Sequence, residues 1–131
     1  DILERKPNIK PFYDPTEKEM EILYDEASFS IAPIFWGSGM KVKVAESIAR
    51  GIIPIGTPEA FSGYEIKDKV NCFVFRNAEE LIAIFKKIDK MNNLEKVNLS
   101  KAAYDLFEKK YKMALSIEKY RNFIYKTIKK G

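Results

Sequence analysis

The stretch Ser28-Phe29-Ser30-Ile31-Ala32-Pro33-Ile34-Phe35-Trp36-Gly37-Ser38-Gly39-Met40-Lys41-Val42-Lys43-Val44-Ala45-Glu46-Ser47-Ile48-Ala49-Arg50-Gly51-Ile52-Ile53-Pro54-Ile55-Gly56-Thr57-Pro58 decides the fold. Its first seven residues read as a strand, and Phe35 to Gly39 read as a loop. From about Met40 to Arg50 the apolar residues recur at helical spacing. Gly51 stands at the C′ position that ends such a helix. Ile52-Ile53-Pro54-Ile55 is short and wholly apolar, the composition of a buried parallel strand. Pro54 removes one ladder donor, so the expectation is a strand end or an irregular pairing there.

Toward the N-terminus, residues 8–12 are a candidate short strand or edge segment. Asp14-Pro15-Thr16-Glu17 reads as a helix start, with Asp14 as cap, Pro15 as first helical residue and Glu17 reaching back. Met20, Leu23, Tyr24 and Ala27 fall on one face of that helix. Toward the C-terminus, residues 57–69 are a loop with Pro58 and Gly63, and Asn71 to Phe75 a last short strand. Asn77 caps the next helix with Glu80 at the third position, and Leu81, Ile84, Phe85 and Ile88 form its stripe. Asn92-Asn93 breaks it. A further helix carries Leu99, Ala103, Leu106 and Phe107, and a final one Ile117, Tyr120, Ile124 and Ile128. Strands alternating with helices, then helices alone, predict a Rossmann-like α/β fold. Its mainly parallel sheet has flanking helices and a C-terminal helical segment over 78–131.

The chain of 131 residues suffices for one domain with a core. No apolar stretch approaches the roughly 20 residues that span a membrane. Residues 1–6 form a segment with four charged residues, so no signal peptide is visible there, and residue 1 is Asp where an initiator Met would stand. The expectation is a piece of a longer polypeptide. Cys72 is the single cysteine, so no intrachain disulfide forms; this fits a reducing, cytoplasmic setting, and Cys72 reads as a buried strand residue. The absence of histidine removes Ser-His-Asp and Cys-His catalysis and any His metal ligand. Chemistry must rest on carboxylates, lysines, hydroxyls and backbone groups.

Open parallel sheets bind ligands beyond the carboxyl ends of their strands. Two loops qualify, 35–40 and 56–64. Gly37 and Gly39 flank Ser38 between a strand and a helix. Glycines admit close backbone approach, and a helix N-terminus offers N–H groups with partial positive charge, so phosphate is the natural guest. Lys41 and Lys43 in the first turn suit an anion there. Taken alone, Gly-Ser-Gly equally fits an ordinary strand–helix turn. Glu46 lies about two turns on. Its carboxylate suits a ribose diol, or it pairs with Arg50 at i+4 as a solvated helix residue. Thr57 and Glu59 face a pocket or face water. Trp36 is a site wall or core packing.

As one ordered series, Ile31-Ala32-Pro33, Gly37 to Ala49, and Gly51 to Pro58 resemble the C-terminal domain of the retaining GT-B glycosyltransferases called group 1, or family four. The resembling stretch runs from about Asn8 to Tyr120. The resemblance implies an incomplete doubly wound domain that binds a nucleoside diphosphate sugar, with no cofactor and no required metal. The family's pair of glutamates falls on Ser38 and Glu46. Glu46 would take the ribose, while the Ser38 hydroxyl would hydrogen-bond sugar without a carboxylate's charge. The sequence looks closer to a branch that keeps Gly39, Lys43 and Glu46 and lacks the first glutamate. The implied donor-binding set is Gly37, Ser38, Gly39, Met40, Lys43, Glu46 and Thr57, with no catalytic residue assigned. The family's first strand, its basic diphosphate-gripping residues and the N-terminal acceptor domain would precede residue 1.

Two other functions fit parts of the pattern. A nucleotide-sugar epimerase of GT-B shape shares donor binding. Residues 109–131, where eight lysines and arginines stand with Glu118 as the only acid, read as a docking helix with a solvated basic face, or as the contact of a membrane-surface or interaction domain. No nucleic-acid motif accompanies this charge. A receiver-like signalling domain needs an Asp at a strand end, and the strand ends Pro33-Ile34, Ile55-Gly56 and Phe75-Arg76 carry none.

Overall fold

A computed structural model describes residues 7–37 and 39–130. Three parallel strands, β1 (Phe29–Ala32), β2 (Ile53–Gly56) and β3 (Phe73–Val74), form a sheet in the order β1-β2-β3. The register places Ala32 opposite Gly56 and Gly56 opposite Val74, so all three carboxyl ends lie at one edge. The helices are α1 (Glu17–Glu26), α2 (Val42–Ala49), α3 (Ala78–Lys90), α4 (Asn93–Leu106) and α5 (Lys112–Lys130). This is the expected α/β, Rossmann-like arrangement with a small parallel sheet and flanking helices.

Alternation along the strands divides the core into two. Ile53, Ile55, Phe73 and Phe75 pack with Ile84 of α3 and Leu99 of α4. On the other side Cys72 packs with Val44, Ala45 and Ile48 of α2, and with Phe61, Tyr64, Ala103, Phe107, Tyr111 and Leu115. Burial pushes the Cys72 thiol up to about 12, with the Asp68 carboxylate adding to the effect. A thiol that must stay protonated in the fold contributes stability that is intact below its ordinary value of 9.0 and is lost as pH rises through about 12. Native chain is therefore expected to resist thiol alkylation at pH 8 and to react on unfolding. A native labelling rate equal to that of the unfolded chain would contradict the buried placement.

Several local expectations are corrected. Residues 8–12 form no strand. Asp14 is not the cap of α1: it sits at φ 47, and the cap is Thr16, whose hydroxyl accepts from the Glu19 N–H at 3.2 Å. Helix α1 thus begins at Glu17 and not at Pro15. Its apolar face is only half-buried. Pro54 lies inside the central strand rather than at its end. The N–H groups of Ile53 and Thr57 donate toward β1, to the carbonyls of Ser28 just before it and of Ala32 at its end. By the alternation of the ladder, the nitrogen of Pro54 faces the β3 side. Pairing with β3 starts one residue later, at Ile55↔Phe73, so the missing donor costs no bond.

The cap of α3 follows the sequence, and Asn92, read as part of a helix break, also caps α4. Asn77 Oδ1 accepts from the Glu80 N–H at 2.9 Å, and Asn92 Oδ1 accepts from the Glu95 N–H at 2.8 Å. Glu80 reaches back to the Arg76 N–H at 2.7 Å. Replacing Asn77 with Ala is expected to cost about 1 kcal/mol in urea unfolding.

Helices α4 and α5 are not separate. A π turn, Phe107–Tyr111, joins them into one helical run. Leu99, Ala103, Phe107, Tyr111 and Leu115 are all buried at strict four-residue spacing. In an α-helix such a row drifts by about 40° per step. The wider π turn rotates less per residue and brings the row back toward the core. Among the described residues no helix is long and apolar enough to cross a membrane.

Candidate functional site

Because β1 and β2 are parallel neighbours, the loops that leave them stand side by side. Gly37 and Gly39 have φ values of 100° and 87°, a region costly for any residue with a Cβ. No heavy atom lies within 4 Å of where a Gly39 side chain would begin, so it is backbone conformation and not space that requires glycine there. The Lys41 ammonium donates to the Gly39 carbonyl at 3.2 Å. Ser38, the residue between the glycines, lies outside the described residues.

Helix α2 begins at Val42, two residues later than its pattern suggests, with Lys41 as cap residue. Its N-terminus differs from those of α1, α3 and α4. Each of those has a capping side chain and acidic residues in the first turn. Among the described residues helix α2 has no side-chain cap and no acid in its first turn, and its first turn carries exposed Lys43 instead. Its leading N–H groups and cations therefore form an end suited to an anion.

The second loop is fastened to the first. The Tyr64 hydroxyl donates to the Lys41 carbonyl at 2.6 Å. Gly63, at φ 84, lies against Met40: a Cβ there would make ordinary contact 3.6 Å from the Met40 backbone, so it is the left-handed backbone and not space that calls for glycine. Tyr64 packs on Tyr111 with ring centroids 4.7 Å apart, and the Tyr111 hydroxyl accepts from the Glu65 N–H at 2.5 Å. Burial, above all, raises the Tyr64 hydroxyl pKa well beyond the ordinary tyrosine range, which keeps it a donor.

Thr57 departs from the expectation of a residue open to ligand. It is fully buried. Its hydroxyl donates to the Ile34 carbonyl and accepts from the Ala60 N–H at 3.2 Å. Both capacities are used inside the protein, so Thr57 is a joint between the loops. Trp36 is no core residue: with Phe35 it stands in solvent, at 82% exposure.

Glu46 is neither a freely solvated carboxylate nor the partner of the Arg50 side chain. Its Oε2 accepts from the Tyr24 hydroxyl at 3.3 Å, and its Oε1 lies 3.9 Å from the Lys119 ammonium of α5. Arg50 instead donates to the Glu46 main-chain carbonyl at 3.1 Å and stacks on the Tyr24 ring at 4.4 Å. Burial and then the adjacent Glu46 carboxylate raise the pKa of Tyr24. The structure thus brings Gly37, Gly39, Met40 and the α2 N-terminus together with the 57–64 loop. It sets Glu46 in a separate cluster with α1 and α5. The sequence reading placed Tyr24 only on a helix face and gave Tyr64 and Tyr111 no role. Each acts across 22 residues or more, and no local pattern marks such a contact.

A scan of the chain against protein-family models returned no match, and a search among curated proteins returned none.

Proposed function

We propose that the chain is the donor-binding part of a glycosyltransferase that moves a sugar from a nucleoside diphosphate sugar to an acceptor. The observation that carries this reading is the α2 N-terminus, uncapped by any described side chain, free of acids in its first turn, bearing Lys43 and approached by two left-handed glycines. A diphosphate would take the leading N–H groups of α2 and the lysine charge. The same groups would stabilise the diphosphate as it leaves, a preorganised electrostatic contribution. Gly37, Gly39 and Met40 would supply the close backbone surface and Glu46 the ribose contact, after release from Tyr24. The glycine loop and the 57–64 loop would form one wall, and the acceptor domain would supply the other. No step of the transfer is assigned to a residue of this chain, and transfer by the chain alone is not expected.

Amide resonances followed during titration with nucleoside diphosphates and their sugars test this. One nucleotide should shift Gly37, Gly39, Met40 and Lys43, with a dissociation constant on the order of 1 mM. Glu46→Ala should weaken it by about 1–3 kcal/mol, the size of a lost hydrogen bond to a charged group. Tyr24→Phe, which removes the competing hydroxyl, should not weaken it. Shifts confined to other surfaces, or affinity indifferent to Glu46, would refute the assignment. Micromolar affinity would show that the single wall suffices.

A further inference from the structure

Helix α1 is held to the domain by a polar joint rather than by a core. None of its 10 residues is buried, and none of its side chains belongs to either core cluster. Met20 and Leu23 are only half-buried, and Ile22 is exposed. A helix of that length is marginal in water by itself, so α1 keeps its form only while it is docked. Among the described residues, Tyr24 makes the side-chain hydrogen bond that ties α1 to another helix: its hydroxyl donates to Glu46 Oε2 at 3.3 Å. The Arg50 guanidinium covers the Tyr24 ring at 4.4 Å. Glu46 lies in α2 and Arg50 is its C-cap residue, so both partners belong to the helix that carries the candidate site.

The chemistry of the joint is that of a ligand contact. A carboxylate accepts from hydroxyl groups, and a tyrosine hydroxyl and a sugar hydroxyl are alternative donors to the same oxygen. Tyr24 takes Oε2, while the Lys119 ammonium lies 3.9 Å from Oε1. Burial and the Glu46 carboxylate raise the Tyr24 pKa, which keeps the hydroxyl protonated and donating. A ligand hydroxyl that reaches Glu46 must displace Tyr24, and α1 then loses its main tie.

We propose that α1 is an autoinhibitory latch: Tyr24 occupies the Glu46 oxygen that a ligand hydroxyl takes, and ligand binding releases α1 from α2. The inference rests on the donor-site reading for the class of ligand. Linkage makes the effect reciprocal, so whatever loosens α1 tightens the ligand.

The test is amide hydrogen exchange of the full chain, with the α3 and α4 amides as the internal control for folding. Without ligand, Glu46→Ala should speed exchange of the α1 amides about tenfold or more and leave α3 and α4 unchanged. Uridine, guanosine and adenosine diphosphates are then added in turn, each at ~10 mM. The one that shifts Gly37, Gly39 and Lys43 should speed exchange of α1 as well. Tyr24→Phe keeps the ring on Arg50 and removes the competing hydroxyl, so it should bind that diphosphate about three- to tenfold more tightly. Exchange of α1 indifferent to Glu46→Ala would overturn the latch whether or not a nucleotide binds. A diphosphate held with dependence on Glu46 while α1 stays protected, or held no more tightly by Tyr24→Phe, would overturn the latch and leave the donor site standing. If Glu46→Ala frees α1 but no diphosphate binds either chain, the donor reading fails and the latch fails with it, leaving Tyr24 as a purely structural tie.

Discussion

Gly51→Val is expected to lower the unfolding free energy by about 3 kcal/mol, from two separate causes. Gly51 follows the last turn of α2 at φ 69, where a β-branched residue is strained. A Cβ at Gly51 would also lie 2.8 Å from the Ser100 Oγ of α4, inside any real contact distance. That hydroxyl cannot simply swing aside, because it donates to the Gly51 carbonyl at 2.5 Å. The bond ties α2 to α4, so relief of the clash must move a helix or break the tie. A double-mutant cycle separates the causes. Ser100→Ala made in a Gly51→Ala background removes the clashing oxygen but leaves the backbone strain. The coupling between the two positions is expected to exceed about 1 kcal/mol. Urea unfolding of the four chains measures it. Additive behaviour would mean that α2 and α4 are not in contact here, and a Gly51→Val chain as stable as the original would contradict the left-handed turn.

Thr57→Val is expected to cost about 2–4 kcal/mol, although the two side chains have nearly the same shape. The buried hydroxyl serves the part-buried Ile34 carbonyl and the buried Ala60 N–H. Valine leaves both main-chain groups without that partner, and each unpaired buried group costs about 1–3 kcal/mol. Thr57→Ser keeps the hydroxyl and loses one methyl, so it should cost about 1 kcal/mol. The order Val worse than Ser distinguishes a hydrogen-bonded joint from simple packing, which would give the reverse order. The consequence for ligand binding is indirect. Thr57 holds the 57–64 loop against the 33–41 loop, and its loss should shift the amide resonances of Ala60 and of both loops before any ligand is added. If Thr57→Val left stability untouched and changed only nucleotide affinity, Thr57 would be a ligand contact after all.

The glycine-bearing loop was legible in the sequence because glycines between an apolar run and a helical pattern carry local meaning. Gly37, Gly39 and Gly51 all take the left-handed backbone that such positions require. The environment of Glu46 was not legible. Its partners Tyr24 and Lys119 lie 22 and 73 residues away, and their approach depends on how α1 and α5 pack on α2. The start of α1 was misread for a local reason. Asp14 and Thr16 are both good caps, and the left-handed backbone at Asp14 places the helix entry two residues later.

By itself the sequence determined the parallel α/β arrangement, the cap at Asn77, and the places where only glycine fits. These follow from periodicity, backbone sterics and side chains that bond within four residues, all of which are written in neighbouring positions. The tertiary structure alone decided that Thr57 is a joint, that Glu46 is shared with Tyr24 and Lys119, and that the α5 row Ile117, Tyr120, Ile124 and Ile128 faces outward. Each depends on the direction of one element relative to another. The last depends further on a π turn that rotates α5 against α4, and a rotation between packed helices is set by the core as a whole.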